Sequence, residues 1–294
     1  MDRYVIEAKD ISKNFGAKQV LDQLSLSVPA GSVFGLLGTN GAGKTTLIKC
    51  LLGLYKISRG KIHVLGDDPW DFMEATKEQL GYVPQSDRVY PWLTVKELIA
   101  YTASFYKHWN APLIEKLIKE WRINPEEKLG VLSEGEAQKV SIILSLGHEP
   151  KLLVLDEPVA SLDPAARRQF IKMILQIVSD RECAIFFSTH ITSDLERVAD
   201  QVAVLKEGRI HFHGELGALK DEVKRLHIRS EQQLPDDLGL GREKVIYCES
   251  SAGEAIVSVR GFKKEFKDII EATCKARVEV EDLNLEEIFL ELNR

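Results

Sequence analysis

Near-continuous runs of Val, Ile, Leu and Phe alternate along the first 215 residues with segments whose apolar positions recur at helical spacing. The runs predict strands at YVIEAKDI (4–11), SLSVPAGSVFGLLG (25–38), KIHVLG (61–66), KLLVLDE (151–157), CAIFFSTH (183–190) and QVAVLKEGRIHFHGE (201–215), each bounded by Gly, Pro or Asp. Helices are predicted over 44–52, 94–107, 112–121, 134–147, 164–179 and 192–199. Strands apolar on both faces, alternating with helices, give an α/β class with a largely parallel sheet covered on both sides. Residues 88–147 are almost wholly helical in pattern and read as a helical insertion into this core.

After Glu215 the texture changes. Strand patterns at 223–229, 244–249, 255–260 and 276–281 mix with helical ones at 262–274 and 285–292. The expected division is 1–215, followed by a small α+β appendix over 216–294 that is joined through the turn-rich QQLPDDLGLGRE segment (232–243).

Composition narrows the classes. With 44% hydrophobic and 29% charged residues in 294, global disorder is excluded. No apolar run approaches the roughly 18 residues of a membrane span, so the chain is not expected to cross a membrane by itself. The MDRYVIEAKD start lacks the apolar stretch of a secretory signal. Cys50, Cys183, Cys248 and Cys274 lie far apart without a CxxC pair, as expected of reduced, buried thiols in a cytosolic protein. A net charge of −6 argues against a general nucleic-acid binder.

The strongest chemical signal is GTNGAGKTT, Gly38 to Thr46. Gly38, four residues, then Gly43-Lys44-Thr45 is the phosphate-loop pattern, and it stands between an apolar strand and a helix as the motif requires. Its glycines let successive N–H groups turn inward, and the helix start behind them adds partial positive charge. Gly38, Thr39, Asn40, Gly41, Ala42 and Gly43 are therefore candidate nucleotide contacts. Lys44 should reach the β- and γ-phosphates, the Thr45 hydroxyl should bind Mg²⁺, and Thr46 should donate to the α-phosphate. The second signal is KLLVLDEP, a buried strand that ends in Asp156 and Glu157 at the edge where α/β ligands bind. Asp156 suits the Mg²⁺ shell, and Glu157 suits a group that orients and polarises the attacking water.

With these motifs in hand, residues 4–215 resemble the ATP-binding subunit of an ABC transporter, of the bacterial export type. Gln85 in GYVPQ is similar to the family's Q-loop glutamine, which touches both nucleotide and metal. LSEGEAQKV (132–140), with Ser133 and Gly135, is similar to its signature segment. SLDP, which contains Asp163, is similar to its D-loop, and His190 in FFSTH to its switch histidine. Phe15 in KNFG holds the place of the aromatic that stacks on adenine, although a core aromatic would fit there equally. The signature departs from the usual LSGGQ: Glu134 replaces a glycine and Glu136 replaces the glutamine. A carboxylate near a triphosphate costs Coulomb energy unless it points away, yet an acidic residue at a helix start is locally favourable.

The resemblance implies a P-loop ATPase whose cofactors are ATP and Mg²⁺, with Glu157, His190 and Lys44 as catalytic residues. It implies two ATP-binding subunits, in a homodimer or heterodimer, sandwiching nucleotide between one chain's phosphate loop and the other's signature. It also implies a separate transmembrane permease as partner, a cytoplasmic and peripheral location on the inner membrane face, and no nucleic acid. A soluble ABC ATPase acting on a macromolecule and a weakly hydrolysing regulatory binder are the alternatives. His211 and His213 read as surface residues, and FKKEFK (262–267) as a solvated helix face. YPWLTV (90–95) reads either as an exposed aromatic patch facing the membrane partner or as a helix cap with a buried Trp92.

Overall fold

Two antiparallel strands, β1 (Tyr4–Phe15) and β2 (Lys18–Pro29), open the chain, and β3 (Val33–Leu37) follows after a turn through Gly31. The computed structural model describes residues 3–85, 90–181, 183–230, 240–251 and 254–293. After β3 come α1 (Lys44–Leu51), β4 (Arg59–Val64), α2 (Glu74–Lys77) and β5 (Leu80–Val83). The helical stretch holds α3 (Val95–Ala103), α4 (Ala111–Glu120) and α5 (Glu134–Leu144). Then follow β6 (Leu152–Asp156), α6 (Pro164–Arg181), β7 (Ala184–Thr189), α7 (Thr192–Leu195), β8 (Gln201–Lys206) and β9 (Arg209–Glu215).

The central sheet has six strands in the order β5-β6-β7-β3-β8-β9. The β5–β6, β6–β7, β7–β3 and β3–β8 pairs are all parallel. Every residue of β3, β6 and β7 is buried, which is why these strands read as unbroken apolar runs. The fold is thus α/β with a mixed, largely parallel sheet.

Several expectations need correction. The stretch 25–38 is two strands rather than one, because Pro29 to Gly31 turns the chain. β1 and β2 do not join the parallel sheet but form a separate three-stranded antiparallel sheet, β2-β1-β4. Register shifts interrupt the β1–β2 pairing around Asp10 and Gln23, both at positive φ, and this obscures their alternation. The stretch 201–215 is likewise two strands, split where Glu207 and Gly208 both adopt positive φ, as a tight hairpin turn demands. The helix expected to reach residue 107 ends at Ala103. Of the insertion expected from 88, residues 86–89 lie outside the described residues.

By contact density the chain divides into two units, Met1–His213 and Gly214–Arg294. The second holds α8 (Leu216–Glu222), β10 (Lys224–Ser230), β11 (Val245–Ser251), β12 (Glu254–Val259), α9 (Glu265–Cys274), β13 (Ala276–Asp282) and α10 (Leu285–Asn293). Its sheet is antiparallel, ordered β11-β12-β10-β13, over a core of Leu226, Ile228, Val257, Val259, Ile270 and Val278. Phe266 belongs to that core and stacks edge-on against Phe262, so FKKEFK is not a solvated face throughout: its lysines are exposed and its aromatics turn inward. Cys248 is exposed on β11, contrary to the expectation that all four cysteines are buried. Residues 231–239, which include most of the turn-rich segment, lie outside the described residues.

Candidate functional site

β7 lies between β6 and β3 with Asp156 opposite Ser188 and Leu37 opposite Thr189, so the chain leaves all three strands at one sheet edge. Val83 of β5 pairs with Leu155, which brings the exit toward Gln85 to the same edge. This order places the phosphate loop, Asp156, Glu157 and His190 on consecutive exits. Gln85 itself is exposed, two residues past β5.

The loop from Gly38 ends at Gly43, the N-cap of α1, with φ 112° and no side-chain cap. A Cβ on Gly43 would come within 3.0 Å of Leu21 Cδ2 and 3.2 Å of the Val20 carbonyl, so both conformation and space require glycine there. An uncapped helix start behind a glycine loop is open to an anion. Gly38, Ala42, Gly43 and Lys44 are buried, Thr45 and Thr46 half-buried, and Thr39, Asn40 and Gly41 exposed.

Lys44 is 6% exposed. Its ammonium donates to the Gly38 carbonyl (2.7 Å) and the Thr39 carbonyl (3.3 Å), and lies 3.1 Å from Glu157 Oε1. Glu157 is 4% exposed with φ 50°, left-handed backbone that an L residue adopts only when its surroundings hold it there. Its other carboxylate oxygen meets His190 Nδ1 at 2.9 Å and the His190 backbone N–H at 3.4 Å. The His190 side chain is 46% exposed, so one end of this buried line reaches solvent. Asp156 is buried. Its Oδ1 accepts from the Ser188 hydroxyl at 2.7 Å, and its Oδ2 has no hydrogen-bond partner among the described residues.

The signature-like segment lies at the start of α5. Ser133 is the N-cap in a reciprocal capping box: its hydroxyl accepts from the Glu136 N–H (3.3 Å), and the Glu136 carboxylate accepts from the Ser133 N–H (2.9 Å). The Ser133 hydroxyl also donates to that carboxylate at 2.6 Å, and these bonds hold the Glu136 carboxyl below the usual range. Glu134 is exposed. A Cβ on Gly135 would stand 3.0 Å from the Ser161 carbonyl, so this helix start packs directly on the SLDP turn. Asp163 there caps α6, accepting from Ala165 N–H (2.8 Å) and Ala166 N–H (3.0 Å), which lowers its pKa. Ser133 and Asp163 are thus brought together in one corner, where each caps its own helix.

Phe15 is 44% exposed rather than a core aromatic. It meets Tyr55 edge-on (centroids 5.3 Å apart), with the Lys13 ammonium 4.6 Å from its own centroid. Of the two readings of YPWLTV, the aromatics are exposed, with Trp92 at 66%, and the helix cap is also real: Thr94 and Glu97 form a second capping box at α3. Tyr90, Trp92, Tyr101 and Phe105 pack edge-on in a chain of ring contacts. His211 and His213 are exposed, and His213 lies against Phe34. Sequence reasoning missed Ser188, Tyr55 and Lys13. For Ser188 the available signal was a hydroxyl two residues before His190, directly after the apolar run Ala184 to Phe187.

The sequence pattern of the ABC transporter family matches residues 21–160. The bacitracin transport ATP-binding protein BcrA of Bacillus licheniformis is 32% identical over 70% of this chain and 68% of its own length. The Nod factor export ATP-binding protein I of Burkholderia lata is 31% identical over 98% of this chain and 96% of its own. A solved ATP-binding subunit of an ABC transporter superposes with TM-score 0.68 at 32% identity, over 74% of this chain and 92% of that one.

Proposed function

Because the chain belongs to the family of ABC transporter ATP-binding subunits, we propose that its sheet-edge site hydrolyses MgATP to drive export through a separate membrane-spanning permease. The observation that carries this reading is the buried line Lys44–Glu157–His190, which begins in a phosphate loop and ends at solvent. The phosphate-loop N–H groups and the start of α1 bind the triphosphate, and Lys44 exchanges the Gly38 and Thr39 carbonyls for β- and γ-phosphate oxygens. Thr46 donates to the α-phosphate, and Phe15, braced by Tyr55, stacks on adenine. Glu157 accepts a hydrogen bond from the attacking water and takes up its proton as the water oxygen bonds to the γ-phosphorus. The bond from that phosphorus to the β–γ bridging oxygen breaks, and ADP leaves with the bridging oxygen. His190, already hydrogen-bonded to Glu157, stands at the solvent end to donate to the γ-phosphoryl oxygens.

The site suits Mg²⁺, a hard cation that prefers oxygen and retains water. Asp156 Oδ2, buried and without a hydrogen-bond partner among the described residues, is the donor that fits it best, with the Thr45 hydroxyl and Gln85 completing the set. When bound, Mg²⁺ supplies charge neutralisation on the phosphates.

In a dimer of ATP-binding subunits, Ser133, Gly135 and Asp163 of one chain close over nucleotide held by the other. The permease is received at a groove of about 570 Å³ lined by Tyr82, Tyr90, Tyr101, Tyr106 and His148, with the exposed Trp92 packed edge-on against Tyr90. Gln85, between β5 and this helical stretch, links the groove to the nucleotide. Export is favoured because the Nod factor export relative aligns through the C-terminal unit as well, whereas a probable sulfate/thiosulfate import protein of Chlorella vulgaris matches only 72% of the chain. No described helix is long and apolar enough to cross a membrane, in keeping with a subunit held at the cytoplasmic face by its permease.

The test is Lys44→Ala. Equilibrium titration should show MgATP affinity reduced at least about tenfold, and phosphate release by the purified protein should be lost. Wild-type affinity in that variant would remove the phosphate loop from the site.

A further inference from the structure

Ser188 occupies the second-last position of β7 and is fully buried. The four residues before it, Ala184 to Phe187, are apolar, so the strand itself has no need of a hydroxyl there. That hydroxyl has two partners. It donates to Asp156 Oδ1 at 2.7 Å and accepts from the Glu157 backbone N–H at 3.1 Å. The Ser188 carbonyl also accepts from the same N–H, at 3.1 Å. One residue of the central sheet thus grips both carboxylate residues at the end of the neighbouring strand.

The consequences differ for the two. The bond to Oδ1 fixes the rotation of the Asp156 carboxylate, so that Oδ2 is the oxygen left without a hydrogen-bond partner among the described residues. The bonds to the Glu157 N–H hold the peptide at the point where Glu157 enters left-handed backbone, and that turn sends its side chain between Lys44 and His190. Without the hydroxyl, Asp156 gains rotational freedom and the Glu157 turn keeps only the carbonyl bond.

We propose that Ser188 is a positioning residue of the ATPase site: it aims one Asp156 oxygen at the metal and sets the backbone turn that aims Glu157 at the attacking water. This rests on the reading of Asp156 and Glu157 given under Proposed function. Groups that orient metal-binding carboxylates typically change metal affinity or activity about 10–100-fold when removed.

The experiment compares wild type, Ser188→Ala, Ser188→Cys and Asp156→Asn. A fluorescent ATP analogue is titrated in EDTA and then against increasing Mg²⁺, with kcat, KM and thermal midpoint measured in parallel. For Ser188→Ala, affinity in EDTA should stay within about twofold of wild type, since the phosphate loop is untouched. The Mg²⁺ concentration that gives half of the metal-dependent gain should rise about tenfold or more, and kcat should fall at least as far with KM little changed. Ser188→Cys, which keeps a weak donor of similar size, should fall between the two and serves as the test if the alanine variant does not fold. A loss of affinity equal in EDTA and in Mg²⁺, tracking a lowered thermal midpoint, would make Ser188 merely structural and overturn the proposal. If Asp156→Asn abolishes the Mg²⁺ gain while both Ser188 variants keep it, the positioning role alone fails. If Asp156→Asn also keeps it, the assignment of Asp156 fails and the proposal falls with it.

Discussion

The Lys44 ammonium and the Glu157 carboxylate stand 3.1 Å apart, each more than nine-tenths buried, although they lie 113 positions apart in sequence. The strand order makes this possible, because β7 alone lies between β3, which feeds the phosphate loop, and β6, which ends at Asp156. A buried pair of this kind is weak evidence for stability, since desolvation offsets much of its attraction. Its significance is chemical: in the proposed mechanism, phosphate oxygens displace Glu157 as the partner of Lys44 and leave its carboxylate to a water molecule.

Glu134 should have little influence on turnover. It is exposed at the first position of α5, and the cap of that helix is made by Ser133 and Glu136. Glu134→Gly is expected to change ATPase rate and MgATP-dependent dimer fraction less than about twofold, and to cost under about 1 kcal/mol in helix propensity. Ser133→Ala, by contrast, removes the cap and should cost about 1 kcal/mol in chemical denaturation. A clear gain of activity in Glu134→Gly would show that its carboxylate opposes closure over nucleotide.

Acid should weaken the fold through His148. Burial pushes its imidazole pKa below the ordinary 6.5, while Nε2 engages the Leu80 carbonyl and Tyr106 stacks at 4.2 Å. Below about pH 6.5 the unfolded chain binds a proton that the folded chain does not, so stability falls as pH drops through that value and levels off below the folded pKa. Asp163 and Glu136 act in the same direction at lower pH: their depressed pKa values give stability that is present above the ordinary carboxylate range and lost below it. Urea midpoints between pH 7 and pH 5 should decline in wild type and decline less in His148→Gln. Equal slopes would assign the effect to other groups.

The aromatic rim should be separable from the chemistry. Trp92 is 66% exposed and touches Tyr90 at its edge. Trp92→Ala should leave the thermal midpoint and the ATPase rate of the isolated subunit nearly unchanged, within about 0.5 kcal/mol for an exposed position. Co-purification with the membrane-spanning partner should drop several-fold. Undiminished recovery of the partner would place the docking surface elsewhere.

Much of the site was legible because its residues sit at the ends of strands whose every position is buried and whose bodies are apolar. Such strands announce both themselves and their exits, as at Leu37 before the phosphate loop and at Asp156. The antiparallel sheet was harder to read. β1 and β2 carry the irregularities at Asp10 and Gln23. In the parallel sheet, β5 has only four residues, one of them Gly81. The role of Ser188 was hidden for another reason: its hydroxyl shows in the sequence, but its importance lies in the pairing opposite Asp156, and register between residues 32 apart on different strands is not written in local pattern. Phe266 shows the reverse case, where a charged neighbourhood concealed a core residue.

The central claim is that Glu157 handles the attacking water of an ATP hydrolase, and Glu157→Gln tests it most directly. The amide keeps the size and the reach to His190 but cannot take up a proton. Nucleotide binding and phosphate release are to be measured on the same preparation with MgATP, alongside sedimentation. The account predicts affinity at or above wild type, hydrolysis reduced at least about a hundredfold, and a nucleotide-dependent dimer that persists because ATP is not consumed. Hydrolysis at the wild-type rate in Glu157→Gln would contradict it.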